Sequence, residues 1–131
     1  KMSLINIINE LIVSNIEASK NFYINIFNFE IEYTDGNPIN WYQLKKNNTK
    51  IMLEDYSTVK EEMKNFPSKV DSSNLLKFEY DNLQEFDNLY EKCRNNSVLF
   101  FKDYTKTDYG KIEFGIFDLD KNMIIVSYSN N

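Results

Sequence analysis

Val13-Ser14-Asn15-Ile16-Glu17-Ala18-Ser19-Lys20-Asn21-Phe22-Tyr23 decides the fold, because its pattern comes back. Asn15-Ile16-Glu17 followed by Asn21-Phe22-Tyr23 returns as Asn82-Leu83-Gln84 followed by Asn88-Leu89-Tyr90, 67 residues later and about half the chain on. Self-similarity at a fixed offset is the mark of repeated structural units. Each copy follows an apolar-alternating stretch and opens an amphipathic helix. Two similar modules are therefore expected, with a shared groove where they meet.

Working outward, Ile5 to Val13 reads as a strand, and Ser14 or Asn15 caps the helix that follows. Ile16, Phe22, Tyr23 and Ile26 give that helix an apolar stripe. Phe29 to Thr34 alternates strictly and reads as a second strand. The turn Asp35-Gly36-Asn37-Pro38 follows. Trp41 to Lys45 and Lys50 to Glu54 read as two more strands. A connector from Tyr56 to Asp71 is polar, with a short helix near Val59 to Lys64 stopped at Pro67.

The second copy runs from a strand at Asn74 to Tyr80 into a helix capped by Asp81, with Gln84 at the capping-box position. Leu83, Phe86, Leu89, Tyr90 and Cys93 form its buried stripe. Strands are expected at Val98 to Lys102, Lys111 to Phe117 and Met123 to Tyr128, with a polar loop over Asp103 to Gly110. The fold class is thus α+β, two βαβββ modules forming a groove between curved mixed sheets. A single domain spans 1–131, with module one at 4–55, the connector at 56–71 and module two at 72–129.

Composition narrows the chemistry. The 131 residues carry a net charge of −5, with 42% hydrophobic and 15% aromatic residues, enough for a real core. Lys and Arg are scattered, so no nucleic-acid footprint is expected. No run reaches the roughly 18 apolar residues of a spanning helix, and no cleavable signal pattern opens the chain. No membrane partner is expected. The single Cys93 excludes an internal disulfide and reads as a small buried hydrophobe. A cytoplasmic location is expected. With no histidine at all, Ser-His-Asp and Cys-His devices are excluded, as are histidine-ligated metal sites.

The repeated opening resembles that of the vicinal oxygen chelate superfamily, whose members include glyoxalase I, extradiol dioxygenases and bleomycin-resistance proteins. Phe29-Glu30-Ile31 resembles the strand that follows in the family, with Asn28 where Gly is usual. Ile51-Met52-Leu53-Glu54 resembles the strand closing the first module. Tyr109-Gly110, Glu113-Phe114 and Asp118-Leu119-Asp120-Lys121-Asn122 resemble its ending, with Leu119 replacing Pro and Lys121 replacing Gly. The resemblance implies paired βαβββ modules, an intimate homodimer and a groove lined by the two sheets. It does not fix the activity, because one fold hosts many functions.

Enzymatic members of the family hold a divalent metal on the first and last strands of each module. The resemblance puts Ile8, Met52, Leu75 and Ile125 at those positions, and a shift of one residue brings only Asn9 and Asn74. Alkyl chains and a thioether do not bind a cation that wants oxygen or nitrogen donors. No metal and no cofactor is expected, and no catalytic residue is assigned. The chain is closest in character to metal-free, bacterial resistance proteins that sequester an antibiotic.

If Ile8 faces the groove, alternation brings Glu10, Ile12, Trp41, Gln43, Met52, Glu54, Leu75, Lys77, Glu79, Glu113, Gly115, Ile125 and Ser127 to the same side. Leu11, Val13, Tyr42, Leu44, Ile51, Leu53, Leu76, Phe78, Phe114, Ile116, Ile124 and Val126 then pack on the helices. Candidate ligand-binding residues are Trp41, Gln43, Met52, Glu54, Glu10, Glu113, Tyr33, Phe101 and Tyr109. Phe100 and Tyr104 are further candidates for the groove wall. Trp41 offers a stacking plane worth roughly 0.5–1.5 kcal/mol beyond its buried area. The three glutamates suit a cationic partner, and Lys77 and Glu79 read as an ion pair. The leading expectation is a protein that binds an aromatic or cationic small molecule. Two others stay open: an enzyme of the same fold, a lyase or oxidoreductase with a non-standard carboxylate metal site or carboxylate acid–base chemistry, and a regulatory module without a ligand.

Overall fold

The computed structural model describes residues 3–63, 65 and 74–129. The chain divides into two compact units. The first contains β1 (Asn9–Val13), α1 (Ile16–Phe27), β2 (Glu30–Asp35), β3 (Trp41–Lys46), β4 (Thr49–Asp55) and α2 (Tyr56–Glu62). The second contains β5 (Leu75–Tyr80), α3 (Leu83–Asn95), β6 (Phe100–Lys106), β7 (Ile112–Phe117) and β8 (Met123–Tyr128). The sheets have the same topology, β1-β4-β3-β2 and β5-β8-β7-β6, with one parallel pair each. This is the expected α+β architecture of two βαβββ units.

The repeated motif works as a cap. Asn15 Oδ1 accepts from the Ala18 N–H at 3.0 Å, and Asn82 Oδ1 accepts from the Glu85 N–H at 2.8 Å. Each side chain satisfies one of the orphan donors at a helix start. The second cap is therefore Asn82, not the expected Asp81, and Gln84 donates to Asn88 Oδ1 at 2.9 Å instead of closing a capping box. Replacing Asn15 or Asn82 by alanine is expected to cost about 1 kcal/mol each, read as a lower denaturant midpoint at unchanged slope.

The helices bury the expected face of each sheet. Leu11, Val13, Tyr42, Leu44, Ile51 and Leu53 are buried in the first unit with Tyr23, Ile26 and Phe27 from α1. Phe114, Ile116, Ile124 and Val126 are buried in the second with Phe86, Leu89 and Cys93 from α3, while Leu76 and Phe78 are half-buried. Leu83 is exposed, so the α3 stripe starts at Phe86. Burial pushes the Cys93 thiol up to about 12, which fits its reading as an inert hydrophobe.

Several boundaries move. The first strand starts at Asn9 rather than Ile5, because its ladder with β4 begins at the pair Asn9–Ile51. Ile5 and Ile7 upstream are exposed. The α2 helix starts at Tyr56 because the Asp55 carboxylate accepts from the Thr58 N–H. The expected stop at Pro67 and the end of the connector lie outside the described residues. Residues 103–106 are strand rather than loop, paired through Thr105–Glu113 and Lys106–Ile112. As the edge of its sheet, β6 is polar where it meets solvent, which hid its alternation.

Two departures from the family pattern sit on strained backbone. Asn28 closes α1 in the left-handed region (φ 62°), with its N–H donating to the Ile24 carbonyl. Lys121 adopts φ 67° in the turn before β8. Both are places that favour glycine. Lys121→Gly is expected to stabilise the protein by up to about 1 kcal/mol through relief of that strain, measured by chemical denaturation.

Candidate functional site

Strand register arranges the helix-free face of each sheet in rows. In the first unit, pairing across β1, β4, β3 and β2 lines up Glu10, Met52, Gln43 and Tyr33. The next row is Ile12, Glu54, Trp41 and Asp35. In the second unit the corresponding rows are Lys77, Ile125, Gly115 and Lys102, then Glu79, Ser127, Glu113 and Thr105. Paired residues on neighbouring strands share a face. The six first-unit candidates, Glu10, Tyr33, Trp41, Gln43, Met52 and Glu54, thus lie on one face.

The rows also show how the modules diverged. Trp41 corresponds to Glu113, Gln43 to Gly115, Glu10 to Lys77, Glu54 to Ser127 and Tyr33 to Lys102. The first face carries Glu10, Glu54 and Asp35 with no cation in its two rows. The second balances Glu79 and Glu113 against Lys77 and Lys102. A common scaffold presents an acidic face in one unit and a charge-balanced face in the other.

On the first face, Trp41 is half-buried and its Nε1–H donates to Glu10 Oε1 at 3.2 Å. Burial, then the hydrogen bond with Glu10, then the charges of Glu10, Glu62 and Asp35, push the Glu54 carboxyl up to about 7. Gln43 is buried, and its Nε2–H donates to Glu32 Oε1 at 2.7 Å. That bond, and Lys50 at 3.4 Å, hold the Glu32 carboxyl below its ordinary value. Gln43 therefore has its partner within the sheet.

Glu54 has a thermodynamic consequence. A carboxyl whose folded value is raised binds a proton in the folded chain that it has lost in the unfolded one. Stability contributed by that proton is lost as the pH rises from the ordinary carboxylate range towards 7. Glu54→Gln is expected to flatten the fall in denaturation midpoint between about pH 4.5 and pH 7. An unchanged pH profile would show that Glu54 titrates normally.

On the second face, Glu113 is 2% exposed. Its Oε1 accepts from Lys102 Nζ at 2.5 Å and from the Tyr109 hydroxyl at 3.0 Å. Burial pushes this carboxyl up, but those hydrogen bonds and the charges of Lys102 and Lys77 outweigh it and leave it below its ordinary value. Phe101 reaches the same face. A Cβ built on Gly115 would stand 2.5 Å from Phe101 Cζ, so the ring fills the place of the missing side chain.

Sequence reasoning missed Lys102 and Glu32, and the cause is the same for both. A β-bulge lies between Ile31 and Tyr33, and another between Phe100 and Lys102, at corresponding places in the two sheets. A bulge lets two successive residues address one face. Glu32 and Tyr33, and likewise Phe101 and Lys102, therefore do so. Simple alternation had no signal for it. Phe100 and Tyr104 depart from the expectation in the other direction. They pack with Tyr90, Phe86 and Phe114 on the helix side, and the Tyr104 hydroxyl donates to Asp87 on α3 at 2.8 Å. Glu79 pairs with Lys111 at 3.3 Å rather than serving Lys77, whose charge acts on Glu113.

The positions implied for a divalent metal do not fit one. Met52 and Ile125 stand in the rows as a thioether and an alkyl chain. Ile8 and Leu75 are partly exposed alkyl chains at or just ahead of the first strands. Asn9 pairs with Ile51, on the helix-facing side. Asn74 Nδ2–H donates to Asn122 Oδ1 at 3.4 Å. Among the described residues, no group of three or more His, Cys, Asp or Glu is placed to hold a metal ion. No helix among them is long and apolar enough to cross a membrane.

Comparison with known proteins agrees with the fold. A lactoylglutathione lyase from Agrobacterium tumefaciens has a similar structure, with TM-score 0.76 and 17% identity over 99% of this chain and 97% of its own. A glyoxalase-related enzyme from Fulvimarina pelagi superposes with TM-score 0.79 at 14% identity, over 96% of this chain and 89% of its own. The fosfomycin resistance protein FosX from Listeria monocytogenes gives TM-score 0.74 at 17% identity, over 98% and 95%. At such identities the likeness shows the fold alone. No match was found among curated proteins. Residues 4–126 match the family described as the Glyoxalase/Bleomycin resistance protein/Dioxygenase superfamily, and the chain belongs to it.

Proposed function

We propose that this protein binds a small molecule without a metal, in the manner of bleomycin-resistance proteins, and sequesters an aromatic or cationic compound such as an antibiotic. The observation that carries this reading is the apolar set Ile8, Met52, Leu75 and Ile125 where enzymatic relatives place metal ligands. Met52 lies one row from Trp41 and Glu54, so a stacking plane and a carboxyl adjoin the vacated position. Binding without chemistry asks for such a surface and a few placed polar groups. Membership of a family whose description includes bleomycin resistance supports an antibiotic as the ligand class. In this reading the protein works as a cytoplasmic homodimer, with modules 4–55 and 72–129 joined by the connector.

Trp41, as the single tryptophan, is its own reporter. A panel of planar and cationic antibiotics is expected to include at least one that quenches its fluorescence saturably, with the compound recovered unchanged by mass spectrometry. Silence across a broad panel would favour a module without a ligand.

A second reading has one observation behind it. The Glu54 carboxyl, pushed up to about 7 beside Glu10, is poised for general acid–base work near neutral pH. Conversion of a bound compound, with a pH–rate profile breaking near 7 and lost in Glu54→Gln, would favour an enzyme.

A further inference from the structure

Among the described residues, Glu113 Oε2 is the buried side-chain oxygen that has no hydrogen-bond partner. A buried acceptor left unpaired is costly, and natural structures rarely keep one without a use. Its sister oxygen is doubly engaged by Lys102 and Tyr109, so rotating the carboxylate only moves the vacancy. We infer that Glu113 Oε2 is an anchor point for an uncharged N–H or O–H donor on a flat ligand whose ring lies against Phe101. This rests on the small-molecule-binding reading and specifies the ligand group for the second unit.

The choice of an uncharged donor follows from the local charges. The Lys102 ammonium already neutralises the carboxylate at 2.5 Å, and Lys77 adds a further positive charge. A cation on Oε2 would share one carboxylate with the Lys102 ammonium, and the two like charges would repel. A neutral donor satisfies the oxygen without that penalty. The flat partner follows from Gly115. Its missing side chain lets the Phe101 ring lie on the strand two residues from Glu113, on the same face, and that ring is 38% exposed. The expectation of a cationic ligand therefore belongs to the acidic first face and not to this one.

The test is a matched series on the full chain, followed by amide shifts of Phe101, Glu113 and Gly115 in 1H–15N spectra. Benzamide offers a neutral donor, N,N-dimethylbenzamide has none, and benzamidinium carries the donor on a cation. Benzamide is expected to bind at least about tenfold more tightly than either of the others, the size of one hydrogen bond to a charged acceptor. In Glu113→Gln, Lys102 and Tyr109 hold the amide oxygen and turn the NH2 to the vacant side. The preference for benzamide over N,N-dimethylbenzamide should then disappear, because the carbonyl of either amide accepts from that NH2. If that variant does not fold, the wild-type series decides alone. Benzamidinium binding as tightly as benzamide, or equal binding of the two amides, would overturn the inference and leave the binding reading standing. Shifts confined to the first sheet would do the same. No shift in either sheet, with no quenching of Trp41 by the antibiotic panel, would remove both.

Discussion

Phe114→Ala is expected to cost about 3–5 kcal/mol, the typical loss for truncating a fully buried aromatic. Phe114 is wholly buried on β7, with ring centroids 5.2 Å from Phe86, 5.3 Å from Tyr90 and 5.8 Å from Phe100. It joins the α3 stripe to the edge strand β6 and sits one residue from Glu113. Alanine would leave a cavity bounded by three rings from two elements, and rings held in a sheet and a helix collapse poorly into such a space. Against the roughly 5–15 kcal/mol of a typical domain, this removes a large share of the total. Urea unfolding should show the midpoint falling sharply, with Phe114→Leu losing much less. A loss below about 1 kcal/mol for the alanine variant would mean that the second unit is not organised around this ring.

Lys102→Met carries the second large effect, through electrostatics. Glu113 is buried and ionised, and Lys102 is its only ammonium at hydrogen-bond distance among the described residues. Methionine keeps much of the stem and removes the charge. Breaking a fully buried pair costs about 3–5 kcal/mol. The Lys102 side chain is 34% exposed against 3% for Glu113, so solvent screening reduces the expected loss to about 2–3 kcal/mol. Its pH dependence has a definite sign. The folded Glu113 value lies below the ordinary one, so the stability it contributes is present above the unfolded carboxylate value and is lost as the pH falls through the folded value. The gap between variant and wild type should therefore be full at pH 7 and close as the pH drops below about 4.5. A gap that does not change with pH would show that Lys102 acts through packing alone.

Much of this architecture was legible in the residues because strand alternation is a rigid constraint. Leu11, Leu44, Leu53, Phe114 and Ile124 could face only the helices, and Glu10, Gln43, Met52 and Glu113 then had to face the other way. The repeat itself was visible, but the second cap was expected at Asp81 and is Asn82, because either side chain can accept at a helix start. Alternation failed where the backbone inserts a residue. The two bulges brought Glu32 and Lys102 each onto the helix-free face of its own sheet, and a two-residue period cannot express that. The polar end of β6 was hidden for a different reason. Edge strands lack the buried partner face that would impose a pattern on their side chains. The upward shift of the Glu54 carboxyl was also out of reach, since it depends on burial and on Glu10, Asp35 and Glu62 converging from separate parts of the first unit.

Sequestration of an antibiotic and catalysis by a metal centre make opposite demands on the four positions that the family resemblance assigns to metal ligands, and this chain has Ile8, Met52, Leu75 and Ile125 there. The direct measurement is a titration of Trp41 fluorescence with a quenching compound from the panel. It is run once in excess chelator and once with a stoichiometric divalent metal. The account predicts superimposable curves. Quenching that disappears in chelator and returns with one equivalent of metal would contradict it.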